Sequence, residues 1–389
     1  MKRFTFVITL GTTVALCFAE GLLESKKTEC TKDAYPPKAN ASVPKVIVNL
    51  DLPPEERWKE LVALKRSEIS TLQSELRNLG GNFIVKLIDH VGPILHKTLP
   101  SPYREELQSI SDLTGIPLGE VVLYNVFYEF FTVCTSIVAQ NAKGEILHAR
   151  NLDFGLYLGW NSSSQTWTMT EVLRNTVVQI EWQRGGATVF YSVNFAGYIG
   201  ILTGLNPGVM SFTVNERFNL NGGFIGIIQW LIFGQRDLQW LGFLARDILE
   251  RGLTFDESRA NLTAAKMIAP VYFILGGNKP GQGTILTKSQ GVSGADEYPM
   301  ATNKNGNWFV LETNYDQNQP PPFFDDRRTP GNKCMVELGQ KNVSFEGLFN
   351  VLSTQPNLNK LTTYTTLMNV NRGQIESYIQ KCEGNCPAW

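Results

Sequence analysis

One thiol stands apart in this chain. Cys134 lies in the stretch EFFTVCTSIVAQNAKGEILHARNLDFG, and its nearest cysteine neighbours are Cys30 and Cys334. A thiol can attack a carbonyl if one group takes its proton and others stabilise the charges that develop. Histidine commonly takes the proton, yet the chain has only His90, His96 and His148. The first two fall in a helical stretch, so only His148 is a candidate. If NAKG forms a hairpin turn with Gln140 paired to Glu145, Cys134 lies opposite Asn151 and His148 opposite Ile137. His148 then points to the other face and has a structural role. Arg150 and Asp153 come beside the cysteine instead. They are three apart, so the strand must end or kink between them. A proton acceptor still exists if the chain is cut before Cys134. The new α-amine has a pKa of about 7.7–8.0 and sits on the nucleophile's own residue. Arg150 would favour the thiolate and Asp153 would hold the ammonium. An inert core cysteine is the alternative, and it stays open at this point.

Other chemistries find no support. The chain has no G-x-S-x-G, no H-E-x-x-H and no P-loop, and GGFIGI is not a dinucleotide fingerprint. No cofactor is called for. No metal site is expected, because no histidine lies near the C-terminal cysteines. Thirty-five basic residues balance 36 acidic ones without a long basic run, which disfavours nucleic acid as a partner. The opening MKRFTFVITLGTTVALCFAEG reads as a secretory signal peptide over residues 1–19, its apolar part too short to span a bilayer. Cys17 leaves with it. Of the five cysteines that remain, Cys382 and Cys386 can close a small loop and Cys30 can reach Cys334, leaving Cys134 unpaired. N-x-[ST] sequons at Asn40, Asn161, Asn261 and Asn342 agree with a secretory route and are candidate glycosylation sites.

The elements that must position Cys134 change character around it. Apolar residues recur at helical spacing from Trp58 to Leu76, with Gly80 and Gly81 expected to stop the helix, and further helical segments continue to about residue 130. After Cys134 short β-rich segments such as TVVQIEWQR, TVFYSVNFAG and MSFTVNERF dominate. Helical spacing returns in DLQWLGFLARDILERG, where Asp237 is a candidate N-cap. The pattern predicts an α+β protein with helices stacked on antiparallel sheets. Residues 222–234, GGFIGIIQWLIFG, are too few to span a bilayer; they suit an interfacial surface, an acyl-chain channel or a buried helix.

Seven motifs then combine in order: FTVCTSIVAQ...HARNLDFG, NFAGYIGILTG, FTVNERF, YFILGGN, VLETNYD, FFDDRRTP and YTTL. Together they resemble the acid ceramidase family of N-terminal nucleophile (Ntn) hydrolases, a wider group that includes bile-salt hydrolase, penicillin V acylase and N-acylethanolamine acid amidase. The resemblance implies an Ntn-hydrolase αββα sandwich and self-cleavage between Val133 and Cys134. A helical α-subunit (20–133) and a catalytic β-subunit (134–389) would result, a heterodimer joined by Cys30–Cys334. It implies Cys134 as nucleophile, with Arg150, Asp153, Asn314 and Arg327 at the remaining active-site positions. Glu216 matches a further carboxylate, a partner for one of the arginines. Asn314 is suited to donate to an oxyanion, although Asn–Tyr–Asp is also turn-like. The implied reaction is cleavage of ceramide to sphingosine and a fatty acid through a thioester. A saposin-type activator, peripheral contact with anionic membranes and a lysosomal location with some secretion come with it. Two alternatives remain: an N-acylethanolamine acid amidase, which typically has Tyr-Pro in place of the Phe154–Gly155 pair, and a non-catalytic lipid carrier on the same fold.

Overall fold

The computed structural model describes residues 29–127, 132–155, 158–218, 224–231 and 233–389. The expected signal peptide lies outside the described residues. Strand β1 (Lys45–Asn49) precedes three helices, α1 (Lys59–Thr98), α2 (Tyr103–Thr114) and α3 (Leu118–Phe127). Leu61, Val62, Ile69 and Leu72 of α1 are buried, as their spacing predicts. The helix does not stop at Gly80 and Gly81, however; it continues as one helix to Thr98. An interior glycine costs a helix only about 1 kcal/mol, which packing can override. Further along, Gly92 meets α3 so closely that a Cβ would lie 2.4 Å from the Gly119 Cα.

Thirteen of the strands build two main sheets. The hairpin strands β2 (Thr132–Gln140) and β3 (Ile146–Phe154) follow α3. A two-residue pair, β4 (Trp160–Asn161) with β5 (Thr166–Trp167), leads to α4 (Thr168–Thr176). Then come β6 (Val177–Arg184), β7 (Ala187–Phe195), β8 (Thr203–Asn206) and β9 (Met210–Glu216). Helices α5 (Phe224–Leu231), α6 (Leu241–Glu250) and α7 (Phe255–Ala264) follow, with short strands β10 (Leu238–Gln239) and β11 (Lys266–Met267) between and after them. Asp237 therefore does not cap α6. Leu238 and Gln239 pair with β11, and the helix starts after Trp240. Strands β12 (Val271–Gly276), β13 (Gly283–Lys288), β14 (Asp296–Pro299) and β15 (Phe309–Glu312) precede α8 (Arg328–Leu338) and α9 (Phe345–Leu352). Strands β16 (Thr362–Asn369) and β17 (Gln374–Ile379) end the fold.

One sheet has the order β1-β6-β7-β8-β9-β12-β13-β14 and the other β15-β2-β3-β16-β17. All pairings within them are antiparallel except β1 with β6. Strand alternation shows how they stack. Val138 and Ile146 pack with Tyr272, Ile274 and Ile285 of the larger sheet. Their sequence neighbours Ile137, Ala139 and Leu147 pack with Leu348, Phe349 and Leu352 of α9. Across the larger sheet, Trp182 and Phe190 bury against Trp58, and Leu241, Ala245 and Ile248 of α6 join the same core. Helix, sheet, sheet and helix thus succeed one another, the stacked α+β arrangement expected.

Disulfides join Cys30 to Cys334 and Cys382 to Cys386, and Cys134 is a free, buried cysteine. Asn40, Asn161, Asn261 and Asn342 are all exposed. Among the described residues no helix is long and apolar enough to cross a membrane. In the 222–234 segment, Trp230 is buried whereas Phe233 is exposed.

The hairpin register differs from expectation by one residue. Gln140 pairs with Ile146, Cys134 with Leu152 and Val138 with His148. The loop is three residues long, not four: Asn141 N–H donates to the Glu145 carbonyl, and Gly144 takes φ 84°. The Asn141 side chain fixes this turn by accepting from the Lys143 and Glu145 amides at 2.9 and 3.0 Å. The slip places Cys134, Arg150 and His148 on one face and Asp153 on the other. β3 neither ends nor kinks between Arg150 and Asp153; the irregularity lies in the neighbouring strand, between Thr362 and Tyr364.

Candidate active site

Cys134 sits near the start of β2, flanked by β3 on one side and, further along the strand, by β15 on the other. It is fully buried, with its thiol directed toward the larger sheet and its main chain gripped from the opposite side. On the thiol side, Arg150 Nη2 donates to the Cys134 Sγ. The guanidinium is held by main-chain carbonyls, Nη1 donating to Leu202 O at 2.8 Å and Nη2 to Val214 O at 3.2 Å. Nη1 also meets Thr203 Oγ1 at 3.0 Å, and that hydroxyl shares a 2.9 Å hydrogen bond with the Tyr364 hydroxyl. Among the described residues no carboxylate pairs with Arg150, so its charge is directed at the sulfur.

The main-chain side is polar and equally buried. The Cys134 N–H donates to Asn314 Oδ1 at 2.9 Å, and the Cys134 carbonyl accepts from Arg327 Nη1 at 2.5 Å. Arg327 Nη2 also reaches Asn314 Oδ1 at 2.8 Å. Asp325 holds the guanidinium through Nε at 2.7 Å and Nη2 at 2.9 Å. Tyr315 donates to Asp325 Oδ2 at 2.8 Å. Asn314 Nδ2 donates to the Glu216 carbonyl at 2.7 Å, so Glu216 enters this network through its main chain. Asp153 lies opposite Val133 with Oδ2 3.8 Å from Arg327 Nη1 and 3.2 Å from Asn359 Nδ2. Asp153 Oδ1 is buried and has no hydrogen-bond partner among the described residues.

Burial dominates the electrostatics. It pushes the Cys134 thiol up to about 11, against the pull of Arg150 toward the thiolate. It pushes Asp153 up to about 6, against Arg327 and the hydrogen bonds from Thr362 and Asn359. Burial opposes the Arg327 cation, but Asp325 overrides it and the pKa rises. Burial drives His148 down to about 3, so the ring is neutral. His148 shares the cysteine's face after all, but its nitrogens are engaged by Ser211 Oγ and Thr213 Oγ1, both at 2.9 Å. Its structural role therefore stands on a ground other than the face it occupies. Among the described residues the thiol has no histidine beside it.

The structure brings Cys134, Arg150, Asp153, Asn314 and Arg327 together, with Glu216 one hydrogen bond removed. Sequence reasoning had not assigned Asp325, Thr203, Tyr364 or Asn359. Asp325, Thr203 and Tyr364 lie inside the seven motifs, but nothing in those letters says which carboxylate turns toward Arg327. Among the described residues no group of three or more His, Cys, Asp or Glu side chains is placed to hold a metal ion.

Two family models match separate parts of the chain, the second beginning at Cys134. A family model described as the beta subunit of N-acylethanolamine-hydrolyzing acid amidase matches residues 41–100. A second, linear amide C–N hydrolases of the choloylglycine hydrolase family, matches residues 134–293. Acid ceramidases of Mus musculus and Homo sapiens are each 45% identical to the chain over 369 residues, covering 93% of both sequences. That of Bos taurus is 42% identical over 396 residues, covering 100% of this chain and 99% of its own. Among solved structures, a Caenorhabditis elegans N-acylethanolamine-hydrolyzing acid amidase ortholog superposes with a TM-score of 0.53 at 32% identity, covering 64% of this chain and 100% of its own.

Proposed function

Because the chain belongs to the acid ceramidase family, we propose that it hydrolyses ceramide with Cys134 as the N-terminal nucleophile, after cleavage of its own Val133–Cys134 bond. Membership of that family makes it an amide C–N hydrolase. The role of Cys134 as its nucleophile is supported by the asymmetry around that residue. A cation meets its sulfur, two polar side chains hold its main chain, and a buried Asp153 oxygen opposite Val133 lacks a partner among the described residues.

For self-cleavage, the thiol adds to the Val133 carbonyl, a C–S bond forms and the C–N bond breaks. The nitrogen takes the proton and becomes the α-amine of Cys134. Water then hydrolyses the thioester, releasing the Val133 carboxylate and restoring the thiol. The thiol's pKa of about 11 means that it enters as a neutral group, with Arg150 stabilising the thiolate as the proton leaves. In turnover, the same sulfur attacks the ceramide carbonyl while the α-amine takes its proton and passes it to the departing sphingosine nitrogen. Water hydrolyses the acyl thioester to the fatty acid. Asp153 is the counter-ion for the α-ammonium, and Arg327 with Asp325 fixes the strand that carries the nucleophile. Asn314 is the oxyanion donor, provided that its amide, occupied by Glu216 O before cleavage, turns toward the substrate.

The mature enzyme is an α/β heterodimer of residues 20–133 and 134–389 in this reading. It acts in the lysosome, with some secreted, carries glycans at exposed sequons, contacts anionic membranes and works with a saposin-type activator. N-terminal sequencing of the larger fragment after acid incubation should begin at Cys134; another start would sink the self-cleavage account. Hydrolysis of N-acyl sphingosine measured beside N-acylethanolamine at acidic pH decides the substrate class. Faster turnover of the second would overturn the ceramidase assignment.

A further inference from the structure

We propose that Asn359 is a positioning residue for the Asp153 carboxylate, and that the C-terminal disulfide ring formed by Cys382 and Cys386 is the clamp that keeps it there. The proposal rests on the reading that Asp153 serves the N-terminal nucleophile.

The neighbouring strand β16 begins opposite Asp153, with Thr362 as its partner, and the chain before it folds over the carboxylate. Asn359 lies in that segment, fully buried, with Nδ2 3.2 Å from Asp153 Oδ2. Its own orientation is fixed throughout. Asn359 Oδ1 accepts from Leu361 N–H at 2.8 Å, Nδ2 is shared with Pro356 O at 3.3 Å, and its N–H donates to Thr362 Oγ1 at 3.1 Å. A neutral amide can thus anchor one carboxylate oxygen without adding charge. The other, Oδ1, is left to face a different group.

Two sets of contacts hold the segment from outside. Arg174 of α4 donates to Thr362 O through Nε at 3.0 Å and Nη2 at 2.6 Å, and to Lys360 O at 3.2 Å. From the C-terminus, Lys360 N–H donates to Pro387 O and Lys360 Nζ to Gly384 O, both at 3.0 Å. Gly384 lies inside the Cys382–Cys386 ring, and Gln355 Nε2 reaches Cys386 Sγ at 3.3 Å. Trp167 Nε1 ties the tail back to the body through Ala388 O at 2.8 Å. A short covalent ring far along the chain therefore grips both ends of the segment that presents Asn359. A tail disulfide four residues wide contributes little through loop entropy, so its place against Lys360 is where it has an effect.

The charged and titratable groups facing Asp153 are Arg327 and Asp325, Arg174 of α4, and Cys134 of β2. Removing the Asn359 donor withdraws a hydrogen bond from the ionised carboxylate, so the carboxylate protonates at higher pH. The test uses the full-length chain, matured at acidic pH and assayed on N-acyl sphingosine across a pH series. Asn359→Ala should lower kcat about tenfold with KM within about twofold, and shift the acidic limb of the kcat profile upward. Asn359→Asp should lose more. Cys382→Ser/Cys386→Ser should shift the limb in the same direction by less, and add nothing when combined with Asn359→Ala. An unmoved acidic limb in both variants, or additive effects, overturns the clamp. Asp153→Asn separates the two readings: if it is inactive while Asn359→Ala behaves as wild type, only the clamp fails. If Asp153→Asn retains full turnover, the reading of the site fails with it.

Discussion

At the scale of single residues, chemistry in this site comes from what is withheld as much as from what is supplied. Every other described cysteine is in a disulfide, and no described histidine touches the one that is left. Cys134→Ser should abolish ceramide hydrolysis, and retained wild-type turnover would exclude the thiol. His148 offers a separate, purely structural readout. Its pKa falls from about 6.5 to about 3 on burial, so its contribution to stability is complete above pH 6.5 and is lost as pH falls toward 3. Glu312, raised by burial to about 7, has the opposite sign: its contribution is complete below the unfolded carboxyl range and is lost as pH rises through 7. As the pH falls from 7 to 4.5, the melting temperature of His148→Gln should therefore rise relative to that of the wild type, and that of Glu312→Gln should fall relative to it. Parallel melting curves for all three chains would contradict both assignments.

At the scale of elements, the hairpin decides who meets whom. Gly144 at φ 84° has no side chain to strain, and a Cβ there would come 3.1 Å from Pro280. Gly144→Ala should cost about 1–2 kcal/mol, read as a lower urea midpoint with an unchanged m value. Alternation and composition made the helices before Cys134 and the strands after it legible. The motif letters also made Cys134, Arg150, Asp153, Asn314 and Arg327 legible as a set. The register was not, because a three-residue loop and a four-residue loop are both compatible with NAKG, and only the Asn141 side-chain hydrogen bonds choose. For a similar reason, helix α1 runs past the stop that its sequence predicts. Local propensity at Gly80 and Gly81 argues for a stop, whereas the packing of α1 against α3 is a contact between distant residues. Asn359 was invisible because its partner, Asp153, is 206 residues away.

At the scale of the whole molecule, the two halves are joined by more than a disulfide. Glu106, fully buried, receives Arg246 on both oxygens at 2.5 and 2.7 Å, Arg57 at 3.0 Å and Trp58 Nε1 at 2.8 Å. Arg246 lies downstream of Cys134 and the other three upstream. Stripping one partner from such a buried set costs about 3–5 kcal/mol. Cys334→Ala should therefore separate the cleaved pieces in denaturing electrophoresis without reduction but leave them together in gel filtration. Adding Glu106→Ala should release them there too. Co-elution of the combined variant would show that apolar packing suffices.

The same division has a bearing on how the protein can be made. β1 comes from the upstream half, yet it runs in parallel beside β6 as the edge of the eight-stranded sheet, with Val46 and Val48 buried. Residues 134–389 expressed alone would leave the β6 rim bare, with a row of peptide groups open to any passing strand. If the chain is cut before Cys134 as proposed, it must therefore fold whole and be cut afterwards, with the upstream piece kept as a permanent border of the sheet.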